Sequence, residues 1–324
     1  MRDIRVALWG ISNHSINRVL PALNSIKGIE IYGVCSRNII NVSNVSKKYS
    51  CKGWTDFEDM LVDEVIDVVF ICLPIKIHFF ACKSVLDNSK HVWCEKPLTC
   101  CPNETKELIN IAKKKNLMLV ESFMYQFHPG FNEIKKSIDE NINSCKKITI
   151  NFGVPNLENP GFRNSKEMCG GAFWDVGSYP ISAISDLFYN YKIKILKSAI
   201  HYRKNCDVDN YGFALIDING FIIASLFWGV GVSYRNEIDI WFDDKSLFFD
   251  KFFSKPKNYK SFIVVSSEKG HKEKIFLEEV EQFEQMFRLL KEHFEEGDFS
   301  RYYDQISNRS AITKEIIDNS KFKV

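Results

Sequence analysis

The feature that most narrows what this chain can fold into is an alternation near its N-terminus. Residues 4–9, 29–35, 65–73, 91–94 and 118–121 are short apolar runs of strand length. Between them, residues 16–25, a polar stretch ending at Tyr49, and residues 79–88 and 103–115 carry helical spacing. Strands that are apolar throughout are buried on both faces, and helices between them make right-handed βαβ crossovers. The pattern predicts an α/β fold whose N-terminal part is a Rossmann-type, doubly wound parallel sheet.

After about residue 145 the pattern changes. Residues 147–152, 193–201, 211–218, 221–228, 237–242, 245–249 and 261–265 read as strands with short turns, interrupted by a helix at 178–188. Such a run predicts a C-terminal α+β domain built on a large, mostly antiparallel open sheet. A helical tail follows at 277–295 and 310–320, with Phe283, Phe287 and Leu290 on one face. The 324 residues suit two domains at roughly 150 residues each, divided as 1–122 and 123–324.

Composition removes several classes of function. Lys+Arg 43 against Asp+Glu 41 leaves a net charge of +2, so no global field draws the chain to nucleic acid or a membrane surface. The charge-free stretch at 218–234 is too short and too polar to span a bilayer, and the first residues, MRDIRVALWG, lack a signal peptide's apolar core. The ten cysteines include no Cys-x-x-Cys pair, and Cys35, Cys72 and Cys94 lie inside apolar runs. Reduced core thiols in a cytoplasmic protein are expected. The histidines show no metal-ligand spacing, so no metal is expected.

Two strand ends carry a cofactor signal. The first strand runs into Gly10-Ile11-Ser12-Asn13-His14-Ser15 and a helix, where dinucleotide folds place a glycine-rich turn facing a pyrophosphate. Only Gly10 keeps the pattern, with Ser12 and Ser15 in place of the later glycines; an ordinary strand-to-helix turn reads the same way. Ser12, Asn13 and His14 are the candidate pyrophosphate and ribose neighbours. The second strand ends in Ser36-Arg37 rather than an acidic residue. A planar guanidinium matches a 2′-phosphate, so NADP(H) is preferred, with NAD(H) left open and a solvated Arg37 as the alternative.

The most specific stretch is His91-Val92-Trp93-Cys94-Glu95-Lys96-Pro97-Leu98, a Glu and a Lys before a Pro at a strand's C-terminal end. Together with Leu20-Pro21-Ala22-Leu23, Leu73-Pro74 and His78, Glu121-Ser122-Phe123-Met124-Tyr125, His128-Pro129 and Gly170-Gly171-Ala172-Phe173-Trp174-Asp175-Val176-Gly177-Ser178-Tyr179-Pro180, it resembles the glucose–fructose oxidoreductase/inositol dehydrogenase/rhizopine-catabolism (Gfo/Idh/MocA) family from residue 4 to about 190.

The resemblance implies an NAD(P)-dependent oxidoreductase acting on CH–OH groups. It puts Lys96 beside the nicotinamide and the reacting carbon, with Tyr179 as the proton-transfer group and Asp175 as its supporting carboxylate. Leu73, Pro74, His78 and Glu95 join the cofactor site by the same likeness. Tyr125 and Gln126 would lie by the substrate, Gln126 standing where the family usually has Arg; Arg163 is a candidate cation for a substrate phosphate or carboxylate. Within the family the motifs look most like NADP-dependent 3-ketoreductases of nucleotide-linked sugars and dihydrodiol or D-xylose dehydrogenases. A dehydrogenase of a free aldose or polyol is the nearest alternative; a non-catalytic dinucleotide or sugar sensor is the alternative of another class. Family members associate through the open sheet, so a homo-oligomer, first a dimer, is expected, with a small-molecule substrate and neither nucleic acid nor membrane as partner.

Overall fold

The computed structural model describes residues 2–203, 206–256 and 258–323. The chain divides into two compact units, residues 1–123 with 283–307 and residues 124–282 with 308–324.

The first unit is a six-stranded parallel sheet, β1 (Ile4–Trp9), β2 (Ile29–Cys35), β3 (Lys52–Trp54), β4 (Val68–Ile71), β5 (His91–Glu95) and β6 (Leu119–Ser122). Its order is β3-β2-β1-β4-β5-β6, so the winding reverses between β1 and β4. That reversal opens a crevice at the carboxyl ends of the strands, where such sheets take ligands. The connecting helices are α1 (Leu20–Ser25), α2 (Ile39–Tyr49), α3 (Phe57–Leu61), α4 (Ile75–Asp87) and α5 (Pro102–Lys115). Local chemistry sets their ends. Asn38 Oδ1 caps α2 by accepting from the amides of Ile40 and Asn41 at 3.0 and 3.2 Å. Pro102 opens α5, and Lys113, Lys114 and Lys115 close it where the helix dipole favours cations. The strand β3 and helix α3 carry no readable period, being three and five residues long.

The second unit begins with α6 (Pro129–Glu140), β7 (Lys147–Val154), α7 (Ser178–Leu187), β8 (Ile193–Tyr202), β9 (Asp209–Ile218) and β10 (Ile222–Val230). β11 (Arg235–Trp241), β12 (Lys245–Asp250), β13 (Phe262–Ser267) and β14 (Lys272–Phe276) follow. With β15 (Ser320–Lys323) they form a nine-stranded sheet, β14-β13-β12-β11-β7-β10-β9-β8-β15. The pairs are antiparallel except β7–β10 and β8–β15. One face is closed: Ile148, Ile150, Ala224, Leu226 and Trp228 are buried, and α7, buried along its whole length, packs on β7 and β10. The alternate residues point the other way, and Ile223, Phe248 and Trp241 on that face are 41%, 37% and 49% exposed.

A cut at 122/123 therefore describes the N-terminal boundary but not the tail. Helix α8 (Gln282–Glu296) lays the face of Phe283, Phe287 and Leu290 onto the first sheet, with the Phe287 ring 5.4 Å from Phe70 and 5.9 Å from Trp93. Burying that stripe returns residues 283–307 to the first unit. Helix α9 (Ser300–Asn319) begins ten residues before the expected 310. Among the described residues, no helix is long and apolar enough to cross a membrane. Eight cysteines, among them Cys35, Cys72 and Cys94, are free thiols as expected; Cys100 and Cys169 are not among them.

Candidate active site

In the first unit the expected cofactor residues gather at the carboxyl ends of β1, β2, β4 and β5. Gly10 leaves β1 with φ +110°, and a Cβ there would lie 2.4 Å from the Cys72 carbonyl oxygen. Only glycine lets the loop pass this close to the end of β4. The loop then closes on itself: the Ser12 amide donates to Ser15 Oγ at 2.7 Å, and the Ser15 amide to Ser12 Oγ at 3.2 Å. Ser12, Asn13 and His14 stay exposed while Ser15 is buried, and a π-helical turn, Ser15–Val19, leads into α1. At the end of β2, Arg37 is exposed and makes no ion pair among the described residues.

His14 reaches from this loop to the end of β5, its Nε2 3.1 Å from Glu95 Oε1. Burial pushes the Glu95 pKa up, but the His14 hydrogen bond and the charges of His14, Lys96 and His78 hold it below the usual carboxylate value. His78, 1% exposed, stands between two carbonyls, Nδ1 2.8 Å from Pro97 O and Nε2 2.7 Å from Leu73 O. A neutral ring donates to one of them at a time. Burial lowers the imidazole pKa, while both carbonyls, Glu95 and Glu121 favour its charge. Pro74 precedes the first turn of α4, and Glu121 Oε1 accepts the Leu98 amide at 2.9 Å. The Pro97 and Leu98 backbone after Lys96 is thus tied to His78 and Glu121, and the Glu95 side chain before it to His14; Glu121 stood in a stretch that carries the resemblance but had no role assigned to it.

The second unit gathers the other expected residues. Asp175 lies in a π-helical turn, Phe173–Gly177, and Tyr179 follows in the first turn of α7. Such turns, rare in proteins, are frequent at functional sites. Arg163 Nε donates to Asp175 Oδ2 at 2.7 Å, so the expected substrate cation is already joined to the expected supporting carboxylate. Tyr179 is 8% exposed; its hydroxyl lies 3.9 Å from Met124 Sδ, and its ring meets Phe152 edge-on at 4.9 Å. Tyr125 is fully buried, its ring 6.0 Å from that of Tyr179 and its hydroxyl 2.7 Å from Ser182 Oγ. Burial pushes the Tyr125 phenol pKa up.

Gln126, expected beside the substrate, gives its amide to Asp186 and to the Tyr125 hydroxyl. The same Asp186 pairs with Arg309 of α9. His128 caps α6 by accepting the Gly130 amide at 3.0 Å. The site residues that sequence reasoning missed, Ser182, Asp186, Asp209 and Arg309, stand on α7, β9 and α9 with no local motif to mark them.

Residues 4–123 match the model of the oxidoreductase family with an NAD-binding Rossmann fold. Over those residues the chain is similar to the Gfo/Idh/MocA oxidoreductases. It is 26% identical to the dTDP-3,4-didehydro-2,6-dideoxy-alpha-D-glucose 3-reductase of Saccharopolyspora spinosa, over 81% of this chain and 79% of that protein. The enzyme of the same name from Actinomadura kijaniata is 25% identical over 95% and 92%. The D-xylose 1-dehydrogenase (NADP(+)) 2 of Haloferax volcanii is 28% identical over 62% of each chain. The crystal structure of the Actinomadura kijaniata 3-ketoreductase with NADP and TDP-benzene has the same fold, at a TM-score of 0.92 over 99% of both chains and 23% identity. The chain carries Glu95-Lys96-Pro97 and Asp175-x-Gly177-x-Tyr179.

Proposed function

We propose that the chain transfers hydride between NADP(H) and a carbonyl or alcohol of a sugar or nucleotide-linked sugar. The observation that carries the reading is the joint presence of Lys96 at the tied end of β5 and Tyr179 at the start of α7, one turn after Asp175. The first-unit residues suit the cofactor. Gly10 lets the loop approach β4, Asn13 and His14 are exposed at a helix entry, and Arg37 offers a fork with no ion pair among the described residues for a 2′-phosphate. The Actinomadura reductase was solved with NADP, including lysine-to-alanine and tyrosine-to-phenylalanine variants.

Reduced nicotinamide supplies the hydride. As a ketone is reduced, negative charge gathers on its oxygen, and the Lys96 ammonium stabilises that charge. The Tyr179 phenol delivers the proton. Asp175, held by Arg163, orients the segment and the substrate hydroxyls. Run in reverse, the same groups deprotonate an alcohol.

The protein would work in the cytoplasm, where its free thiols stay reduced. It would work as a homodimer through the open sheet face bearing Ile223, Phe248 and Trp241. A monomer by light scattering at micromolar concentration overturns the dimer. The likeness to the Haloferax dehydrogenase favours a free aldose as the second substrate reading. The Ser12 amide, taken up by Ser15, favours a weakly binding sensor.

The test begins with fluorescence titration by NADPH and NADH, then turnover of dTDP-glucose and D-xylose with NADP+. Tyr179→Phe and Lys96→Ala each should lower kcat by about 10²-fold or more with NADPH affinity kept. Turnover near that of the parent in either variant refutes the assignment, and failure to bind either dinucleotide moves the sensor reading ahead.

A further inference from the structure

Between Arg163 and Phe173 the backbone runs through a narrow place. A Cβ on Gly170 would lie 2.3 Å from the Arg163 carbonyl oxygen, and one on Gly171 would lie 2.1 Å from Asp209 Oδ1. Gly171 has φ +107°, and its amide donates to the Arg163 carbonyl at 2.9 Å. The paired glycines thus fit a passage with a carbonyl on one wall and a carboxylate on the other. Two residues on, the Phe173 amide donates to Asp209 Oδ2 at 2.7 Å.

Phe173 opens the π-helical turn, and no side chain of the adjoining residues caps it. The first amides of a helix have no partner inside it, and a carboxylate there satisfies one of them while complementing the dipole. Asp209, at the start of β9 and 36 positions away in sequence, supplies that cap from across the unit. It is 7% exposed. At the other end of the turn, Gly177 lies flat against fully buried Trp228, where a Cβ would come within 3.0 Å of the indole. The turn is fixed at both ends, by a hydrogen bond and by an aromatic wall. Asp175 lies between these points, and Tyr179 follows the second by two residues.

We propose that Asp209 is a positioning residue for the reaction: its carboxylate anchors the turn that carries Asp175 and leads into Tyr179, and so fixes where the phenol stands. The inference rests on the reading of Tyr179 as the proton-transfer group. Its chemical content is a hydrogen-bond acceptor at a helix start, which an amide oxygen also supplies. Asp209→Asn should therefore preserve what Asp209→Ala removes. Tyr202, opposite Asp209 in the β8–β9 pair, faces the carboxylate, which together with burial pushes the phenol's pKa up.

The experiment follows amide hydrogen exchange across residues 170–180 by mass spectrometry, alongside kcat, KM and NADPH affinity with NADP+ and dTDP-glucose or D-xylose as probes. In Asp209→Ala the Phe173 amide should exchange about tenfold faster. kcat should fall about tenfold or more, because misplacing a reacting group by an ångström is that costly. KM and NADPH affinity should change little, and Asp209→Asn should restore both the protection and most of kcat. Unchanged protection in Asp209→Ala overturns the proposal, as does equal loss of kcat in both variants or a parallel loss of NADPH binding. If the parent turns over neither probe while protection responds as expected, the functional reading falls and the anchor stands.

Discussion

Replacing Arg309 by Met removes the cation of an ion pair that water scarcely reaches. Arg309 Nη2 lies 2.7 Å from Asp186 Oδ2, with the two side chains 6% and 2% exposed. The Gln126 amide donates to the same carboxylate oxygen. From Gln126 the network runs on through the Tyr125 hydroxyl to Ser182 Oγ at 2.7 Å, and from Ser182 to the Tyr179 carbonyl at 2.8 Å. Methionine keeps the apolar stem of Arg309, so the loss isolates the charge. Removing one partner of a buried pair costs about 3–5 kcal/mol, because the remaining ion stays desolvated. For a unit of this size that lowers the melting midpoint by roughly 6–20 °C. Urea denaturation at pH 7 measures it, and Arg309→Met/Asp186→Leu should recover most of the loss, since the stranded charge has gone. A single variant within about 1 kcal/mol of the parent refutes the reasoning, and so does a double variant as unstable as the single.

Three further outcomes follow from the same geometry. Arg37→Ala should weaken NADPH by about 10- to 100-fold, the worth of a charge-assisted contact, and leave NADH nearly unchanged in fluorescence titration; equal losses for both would show that Arg37 does not read the 2′-phosphate. Burial raises the Asp209 carboxyl to about 7 from 3.8 against the pull of the Phe173 amide, so the folded state holds a proton that the unfolded state has lost. The parent then loses stability as pH rises between those values, by up to about 1.4 kcal/mol per pH unit, and Asp209→Asn should melt higher relative to the parent at pH 8 than at pH 5. Lys255 runs the opposite way: burial lowers its amine to about 7 from 10.5, so the parent gains stability as pH rises through that window. The advantage of Lys255→Met should accordingly be larger at pH 7 than at pH 10, and thermal melts with equal pH response in parent and variant would contradict it.

How much of this was legible in the sequence depended on the distance over which each signal acts. The parallel sheet could be read because burial on both faces writes itself into every strand, and Glu95-Lys96-Pro97 because it is contiguous. The apolar stripe of α8 was visible at Phe283, Phe287 and Leu290, but a stripe says that a face is buried and not against what; Phe70 and Trp93 are chosen by the tertiary fold. Asp209 and Arg309 were illegible for the same reason, since their partners lie 36 and 123 positions away. The loop after β1 is the instructive intermediate case. Counted by glycines, Gly10-Ile11-Ser12-Asn13-His14-Ser15 looks degraded. Yet Ser12 and Ser15 exchange hydrogen bonds at 2.7 and 3.2 Å and so hold the turn by side chains. That solution takes the Ser12 amide out of service for an anion and leaves the Asn13 and His14 amides with the Ser12 hydroxyl. With fewer donors in the loop, the proposed cofactor site leans more on Arg37 at the end of β2, and on that reading its replacement should discriminate strongly between the two dinucleotides.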